Sequence, residues 1–258
     1  MKLSRLRFAL VFMIAASGLC FGWSLDLNKI VDGVKDGGKV LKGVTGIGPE
    51  EERTIGGSVA VDIVGTYGGL VRDEAINRRV DLIGRTLAAC SDRPGLDWRF
   101  GVLASDDVNA FSAPAGYVFI TRGLYKMAAD DDMLAGVLAH EIEHVCEKHA
   151  LSIVARGEFL SGAADIAKSQ SSKVADLEGK LQQFDLGIEK ITKTLFTVGF
   201  DPQTEYAADS KGRDLAALAG YARNGLKVTR VALQRQPASP TEKIFSTHPP
   251  LAERIKRL

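Results

Sequence analysis

Residues 134–150 read LAGVLAHEIEHVCEKHA and hold three of the chain's four histidines. His140 and His144 flank Glu141 in the pattern HExxH. Four residues apart, the two imidazoles lie on one face of an α-helix, one turn apart, where both can meet one ion. Random placement at this chain's composition would produce the pattern about once in 300 such chains. The chemistry it supports is metal-assisted hydrolysis. The ion polarises a carbonyl and brings the pKa of bound water toward about 7, while Glu141 takes the water's proton and passes it to the leaving group.

A catalytic zinc needs three protein ligands and an open position. The extended pattern HExxHxxGxxH is excluded, because Glu147 and Ala150 stand where it requires glycine and histidine. Glu158 and Glu205 are the candidates for the third ligand. Glu158 lies fourteen residues past His144, about 21 Å along an unbroken helix, and can serve only if the chain turns sharply near Gly157. Glu205, in DPQTEYAADSKGRDLAALAGY, is better placed: Asp201 and Pro202 make a helix start, and Glu205 and Asp209 then share a face. One carboxylate can bind metal while the other accepts the distal N–H of a ligating histidine. The plainer alternative is a helical face of solvated acids.

The elements around these residues must position them. Asp130, Asp131 and Asp132 favour a helix start, and Met133, Leu134, Val137, Leu138, Ile142 and Val145 recur mostly at three- and four-residue intervals. The motif therefore sits on a helix. Cys146 falls about 140° around it from the histidine face and should point into packing, either bridged to Cys90 or as a small buried hydrophobe. Upstream, residues 71–90 place Ala75, Ile76, Val80, Ile83 and Leu87 on one helical stripe. WRFGVLAS, VNAFSAP and YVFIT are short runs of β-formers broken by Asp106, Asp107 and the Pro114/Gly116 turn, which predicts a small antiparallel sheet before the HExxH helix. Downstream, Val174, Leu177, Leu181, Phe184, Ile188, Ile191 and Leu195 predict an amphipathic helix over 174–195. It either packs on the core or, with Gly179 and Gly187 weakening it, forms a movable lid or partner-binding arm.

Lys2, Arg5 and Arg7 precede FALVFMIAASGLCFG, an apolar run of about 15 residues, short for a membrane span and suited to a signal-peptide core. Residues 1–22 read as an export signal, cut after Gly18 or Gly22; left uncleaved, it would hold the protein beside the membrane. Leu19 argues against a lipid-modified Cys20. Residues 23–48 form a Gly-rich tether and 49–258 the compact domain. Without the signal's three basic residues, 30 Lys and Arg face 32 Asp and Glu, a balance with no footprint for nucleic acid.

The pieces PEEERTIGGSVA, NAFSAPAGYVFITRGL, LAHEIEHV, EYAAD and THPPLAERIKRL, in that order over residues 49–258, resemble the HtpX-like, CAAX-prenyl-protease-type zinc metallopeptidases in their soluble exported branch. The resemblance implies an α+β, mainly helical fold: a zincin-like domain with a small antiparallel sheet and an HExxH active-site helix. It implies Zn2+ held by His140, His144 and Glu205, with Asp209 supporting them and Glu141 as base. Asn109, Ala110 and Phe111 are assigned to substrate binding, and AGYVFIT is placed near the cleft, where a strand edge could take up an extended chain. His248, in the stiff FSTHPP segment, comes near the zinc either to stabilise the oxyanion or to occupy the fourth position and keep the enzyme latent; a surface histidine with neither role is the alternative. The implied activity is endopeptidase cleavage of unfolded or misassembled exported proteins in the periplasm. The rival is a zinc-containing assembly or chaperone factor without proteolysis, against which the intact Glu141 argues. Unlike the integral-membrane members this chain has no second hydrophobic span, and it stops soon after THPP, without the helical-repeat tail of some exported relatives.

Overall fold

A computed structural model describes residues 47–156, 188, 192–193, 199–235 and 250–258. The expected signal, the tether apart from Ile47 and Gly48, Glu158, His248 and most of segment 174–195 lie outside the described residues.

Helix α1 (Pro49–Thr66) and α2 (Glu74–Ala89) lead into strands β1 (Arg99–Leu103), β2 (Ala110–Ala113) and β3 (Tyr117–Thr121). Helices α3 (Arg122–Met127), α4 (Asp131–Cys146), α5 (His149–Arg156), α6 (Pro202–Leu218), α7 (Gly225–Gln234) and α8 (Leu251–Arg257) follow. The sheet order is β1-β3-β2. Ala110 pairs with Ile120 and Ala113 with Tyr117 in the expected antiparallel sense. β1 instead runs parallel to β3, Arg99 opposite Tyr117 and Leu103 opposite Thr121, so the sheet is mixed where the sequence predicted a purely antiparallel one. The chain reverses twice between β1 and β3, and β3 takes the central place, so the two necessarily share a direction. β2 is left at one edge, beside α4.

α4 carries the HExxH residues through the middle of the domain. Asp130 caps it, its carboxylate accepting the Met133 N–H at 2.8 Å, and Asp131 and Asp132 complement the positive end of the helix dipole. Every residue from Met133 to Cys146 is buried, because α2, α6, α7 and β2 all pack against this helix. Leu134, Leu138 and Ile142 meet Val80, Ile83 and Leu87 of α2 and Val118 and Ile120 of β3 in one core. Each such fully buried side chain contributes about 1.5–3 kcal/mol. A second core joins Ile55, Val59 and Ile63 of α1 to Phe111, Phe119, Leu151 and Ile188.

Glycine sets the spacing between α4 and its neighbour α6. A Cβ on Gly212 would stand 2.8 Å from the backbone nitrogen of His140, closer than real Cβ contacts allow. Its absence lets α6 reach the first histidine of the motif. Of the predicted 174–195 helix, Ile188, Thr192 and Lys193 are described; all three are helical, and the Thr192 hydroxyl donates to the Ile188 carbonyl. Cys90 and Cys146 are both free thiols. Cys146 packs into the core as its helical phase predicts, and burial pushes its pKa up to about 11. Among the described residues, no helix is long and apolar enough to cross a membrane.

Candidate metal centre

On α4 the Nε2 atoms of His140 and His144 face each other at 3.1 Å, their rings nearly perpendicular at 84°. α6 supplies a carboxylate to the same place. Asp201 caps that helix by accepting the N–H groups of Gln203 and Thr204, and Pro202 opens it, so Glu205 falls in its first turn. Glu205 is wholly buried, with Oε2 3.5 Å from His140 Nε2 and Oε1 3.7 Å from His144 Nε2. Donor atoms of all three side chains lie within 4.8 Å of one another.

This donor set fits a small divalent ion. With metal–nitrogen and metal–oxygen bonds of roughly 2.0–2.1 Å, ligands on a tetrahedral ion stand about 3.3 Å apart. The separations of 3.1, 3.5 and 3.7 Å bracket that value. Two imidazoles and a carboxylate also match the ligand preference of zinc.

Asp209, one turn along α6 from Glu205, stands behind His140, with Oδ1 3.0 Å from Nδ1. The same carboxylate accepts two hydrogen bonds from Arg254, at 2.9 and 2.7 Å, and is gripped by both Nη atoms of Arg230. Arg254 Nη2 reaches Glu205 Oε2 as well, at 2.9 Å. Burial alone would raise the pKa of Asp209, but the hydrogen bond from Arg254 and the contact with His140 outweigh it and hold this carboxyl well below its ordinary range. At His140, burial works against the charged ring and is outweighed by Asp209 and Glu205, so its pKa rises. Arg230 is lowered to about 10 by burial and by the neighbouring Arg254 charge, and stays cationic at neutral pH.

Neither arginine stands out in the sequence. Arg230 leaves a faint signal, a lone cation four residues from Leu226 on the buried face of α7. Arg254 sits in the terminal THPPLAERIKRL stretch and leaves no sign that it turns inward.

Glu141 points toward the sheet, where the Ser112 hydroxyl on edge strand β2 donates to its Oε2 at 2.8 Å. Nothing in the sequence marks Ser112 for this role. The three residues assigned to substrate binding precede it on the same stretch. Asn109 is buried, its carbonyl accepting the Thr121 N–H at 2.9 Å and its side-chain oxygen accepting the Ala110 N–H at 2.8 Å. Phe111 packs into the second core with its ring 4.6 Å from that of Tyr67. Ala110 is half-buried. Asn109 and Phe111 thus fix the strand.

A buried ion cluster holds this strand from behind. Glu52 of α1 is 2% exposed and accepts both Nη atoms of Arg93, at 2.8 and 3.0 Å, the Ala115 N–H at 3.1 Å, and a contact from Lys148 Nζ at 3.1 Å. It thereby joins α1, the turn after β2 and the end of α4. Ala115 (φ 63°) and Lys148 (φ 55°) both adopt the left-handed conformation that non-glycine residues rarely hold. Glu52 contacts both residues, through the Ala115 N–H and Lys148 Nζ. Burial would raise the Glu52 pKa; Arg93 and Lys148 reverse the effect and lower it.

In the sequence His149 is only a third histidine near the motif. In the fold it lies against the second motif histidine, its Nδ1 2.8 Å from His144 Nδ1, and Phe200 stacks on the His144 ring at 4.4 Å and 17°. Burial lowers the pKa of His149.

A mainly helical fold with a small mixed sheet, an HExxH helix and a buried His-His-Glu grouping defines a zincin-like domain. Residues 74–258 match Peptidase family M48, and the chain belongs to that family. It is 28% identical over 181 residues to the mitochondrial metalloendopeptidase OMA1 of Schizosaccharomyces pombe, covering 69% of this chain and 51% of that protein. It is 29% identical over 164 residues to the metalloprotease YcaL of Escherichia coli, covering 64% of this chain and 62% of that one. To the beta-barrel assembly-enhancing protease of Escherichia coli it is 23% identical over 191 residues, covering 70% of this chain and 37% of the relative. The chain therefore spans between about two-fifths and three-fifths of the length of these relatives.

Proposed function

We propose that this chain is a zinc-dependent metalloendopeptidase that hydrolyses peptide bonds in unfolded or misassembled exported proteins. The observation that carries the reading is the convergence of His140, His144 and Glu205, with Glu141 on the same helix as the two histidines. The two imidazoles and Glu205 hold the ion, and Asp209 orients His140. When bound, zinc supplies Lewis acidity to the scissile carbonyl and to a water. Glu141 does the proton work. Ser112 holds its Oε2, which leaves Oε1 to receive a proton from water and deliver it to the leaving amine nitrogen. The substrate lies along the outer edge of β2 as an added strand, main chain to main chain, which suits extended polypeptides of varied sequence. His248 is given the place beside the zinc that the family resemblance suggests, as a latency ligand in preference to an oxyanion donor.

Residues 1–22 act as the export signal, 23–48 as a tether and 49–258 as the peptidase domain, and the protein works in the periplasm. The similarity to proteins named beta-barrel assembly-enhancing protease supports a role in the quality control of exported proteins.

Metal removal tests the reading. The purified chain should digest an unfolded reporter protein, lose that activity on dialysis against a chelator and regain it with about one equivalent of zinc. Digestion unaffected by chelation would contradict it.

A further inference from the structure

The two motif histidines are backed by different groups. Behind His140 stands a carboxylate, Asp209, the usual partner for a metal-binding imidazole. Behind His144 stands another imidazole, with the two Nδ1 atoms 2.8 Å apart. At that distance one proton lies between them, because two lone pairs would repel and two N–H groups would clash.

We infer that His149 is a positioning residue for the metal centre, accepting the Nδ1–H of His144 and so aiming the His144 Nε2 lone pair at the ion. The inference rests on the proposal that His144 binds metal, and it goes beyond that proposal by assigning the proton and the residue that directs it. His144 Nε2 faces His140 Nε2 and Glu205 Oε1. To bind a cation there it must present a lone pair, which puts the His144 proton on Nδ1. The nitrogen opposite must then be an acceptor, so His149 carries its own proton on Nε2.

The backbone is built to bring this about. On one continuous helix residue 149 would lie about 140° around from residue 144, out of reach. The chain breaks after α4, and Lys148 takes the left-handed conformation with φ 55°, which turns His149 back over His144 as α5 begins. The contact between Lys148 Nζ and Glu52 Oε2 holds that reversal. Phe200 completes the arrangement, stacked on the His144 ring at 4.4 Å and tilted against the His149 ring at 5.5 Å. Both imidazoles are therefore restrained in rotation, and the hydrogen bond selects one tautomer of each.

The test uses the full chain and two readouts. Zinc affinity is measured by competition with a chromophoric chelator for wild type, His149→Leu and His149→Asn. Leucine removes the acceptor at similar volume, whereas the asparagine side-chain oxygen can stand near the position of Nδ1 and restore it. His149→Leu should bind zinc about 10- to 100-fold more weakly, the loss typical of an orienting partner, and His149→Asn within about threefold of wild type. Nitrogen-15 imidazole spectra of the zinc-loaded wild type should show His144 protonated at Nδ1 and His149 at Nε2, a result that stands even if His149→Leu does not fold. Wild-type affinity in His149→Leu overturns the inference while leaving the metal centre intact. So does a folded His149→Asn as weak as His149→Leu, or a His149 proton on Nδ1. A wild-type chain that binds no zinc at all refutes the metal reading itself, and this inference with it.

Discussion

The carboxylate of Asp209 stands 3.0 Å from Nδ1 of His140 and ties that imidazole to two buried guanidiniums, Arg230 and Arg254. One side chain thereby serves both the metal centre and the stability of the fold. Asp209→Ala should weaken zinc binding by about 10- to 100-fold. It should also cost about 3–5 kcal/mol of stability, because buried Arg230 loses its carboxylate partner and Arg254 is left with Glu205. Chelator competition and denaturant unfolding measure the two effects separately; an unchanged zinc affinity would remove Asp209 from the centre.

Gly212 has no polar side chain to offer, yet it governs how near α6 comes to His140. Gly212→Ala should destabilise the domain by about 1–3 kcal/mol through overpacking and weaken zinc binding, since Glu205 rides on the same helix. Gly95, where a Cβ would meet nothing within 4 Å, is the control and should accept alanine without loss. Equal behaviour of the two variants in thermal unfolding and zinc titration would show that the close approach does not matter.

Ser112→Ala removes the hydroxyl that holds Glu141 Oε2. A hydrogen bond to a charged group contributes about 1.5–3 kcal/mol, so kcat/KM on an unfolded substrate should fall by about tenfold or more at unchanged zinc content. Full activity would mean that Glu141 needs no such support.

The Glu52 cluster has a pH signature. Because its folded-state pKa is lowered, Glu52 contributes stability that is fully present above its unfolded value of about 4.3 and is lost as pH falls through the folded value. Glu52→Gln should therefore cost about 3–5 kcal/mol at neutral pH, where Arg93 and Lys148 lose their buried partner. That difference should shrink toward acid pH, where the wild-type carboxyl is itself protonated. A pH-independent difference in urea unfolding would argue against the charge pairing.

What the sequence disclosed follows from what is local. His140, Glu141 and His144 sit on a helix whose cap, acidic first turn and apolar recurrence are all contained between Asp130 and Cys146, and Glu205 and Asp209 follow a Pro-started helix at a spacing of one turn. The direction of β1 was not legible, because alternation of apolar residues reports which face is buried and not which strand lies alongside. Arg230, Arg254 and the Glu52–Arg93–Lys148 cluster are pairings between distant segments, and these leave no periodic trace. His149 escaped for a different reason. Five residues from His144 it is out of phase on any helix, and only the reversal at Lys148 brings it back.

The most direct test of the proposed chemistry sets wild type beside Glu141→Gln, measuring zinc content and digestion of an unfolded protein on the same preparations. Glutamine keeps the size of the side chain and removes the proton carrier without touching His140, His144 or Glu205. The expected result is near-stoichiometric zinc in both proteins and a loss of proteolysis by several orders of magnitude in Glu141→Gln. Sustained digestion by the purified variant would contradict it.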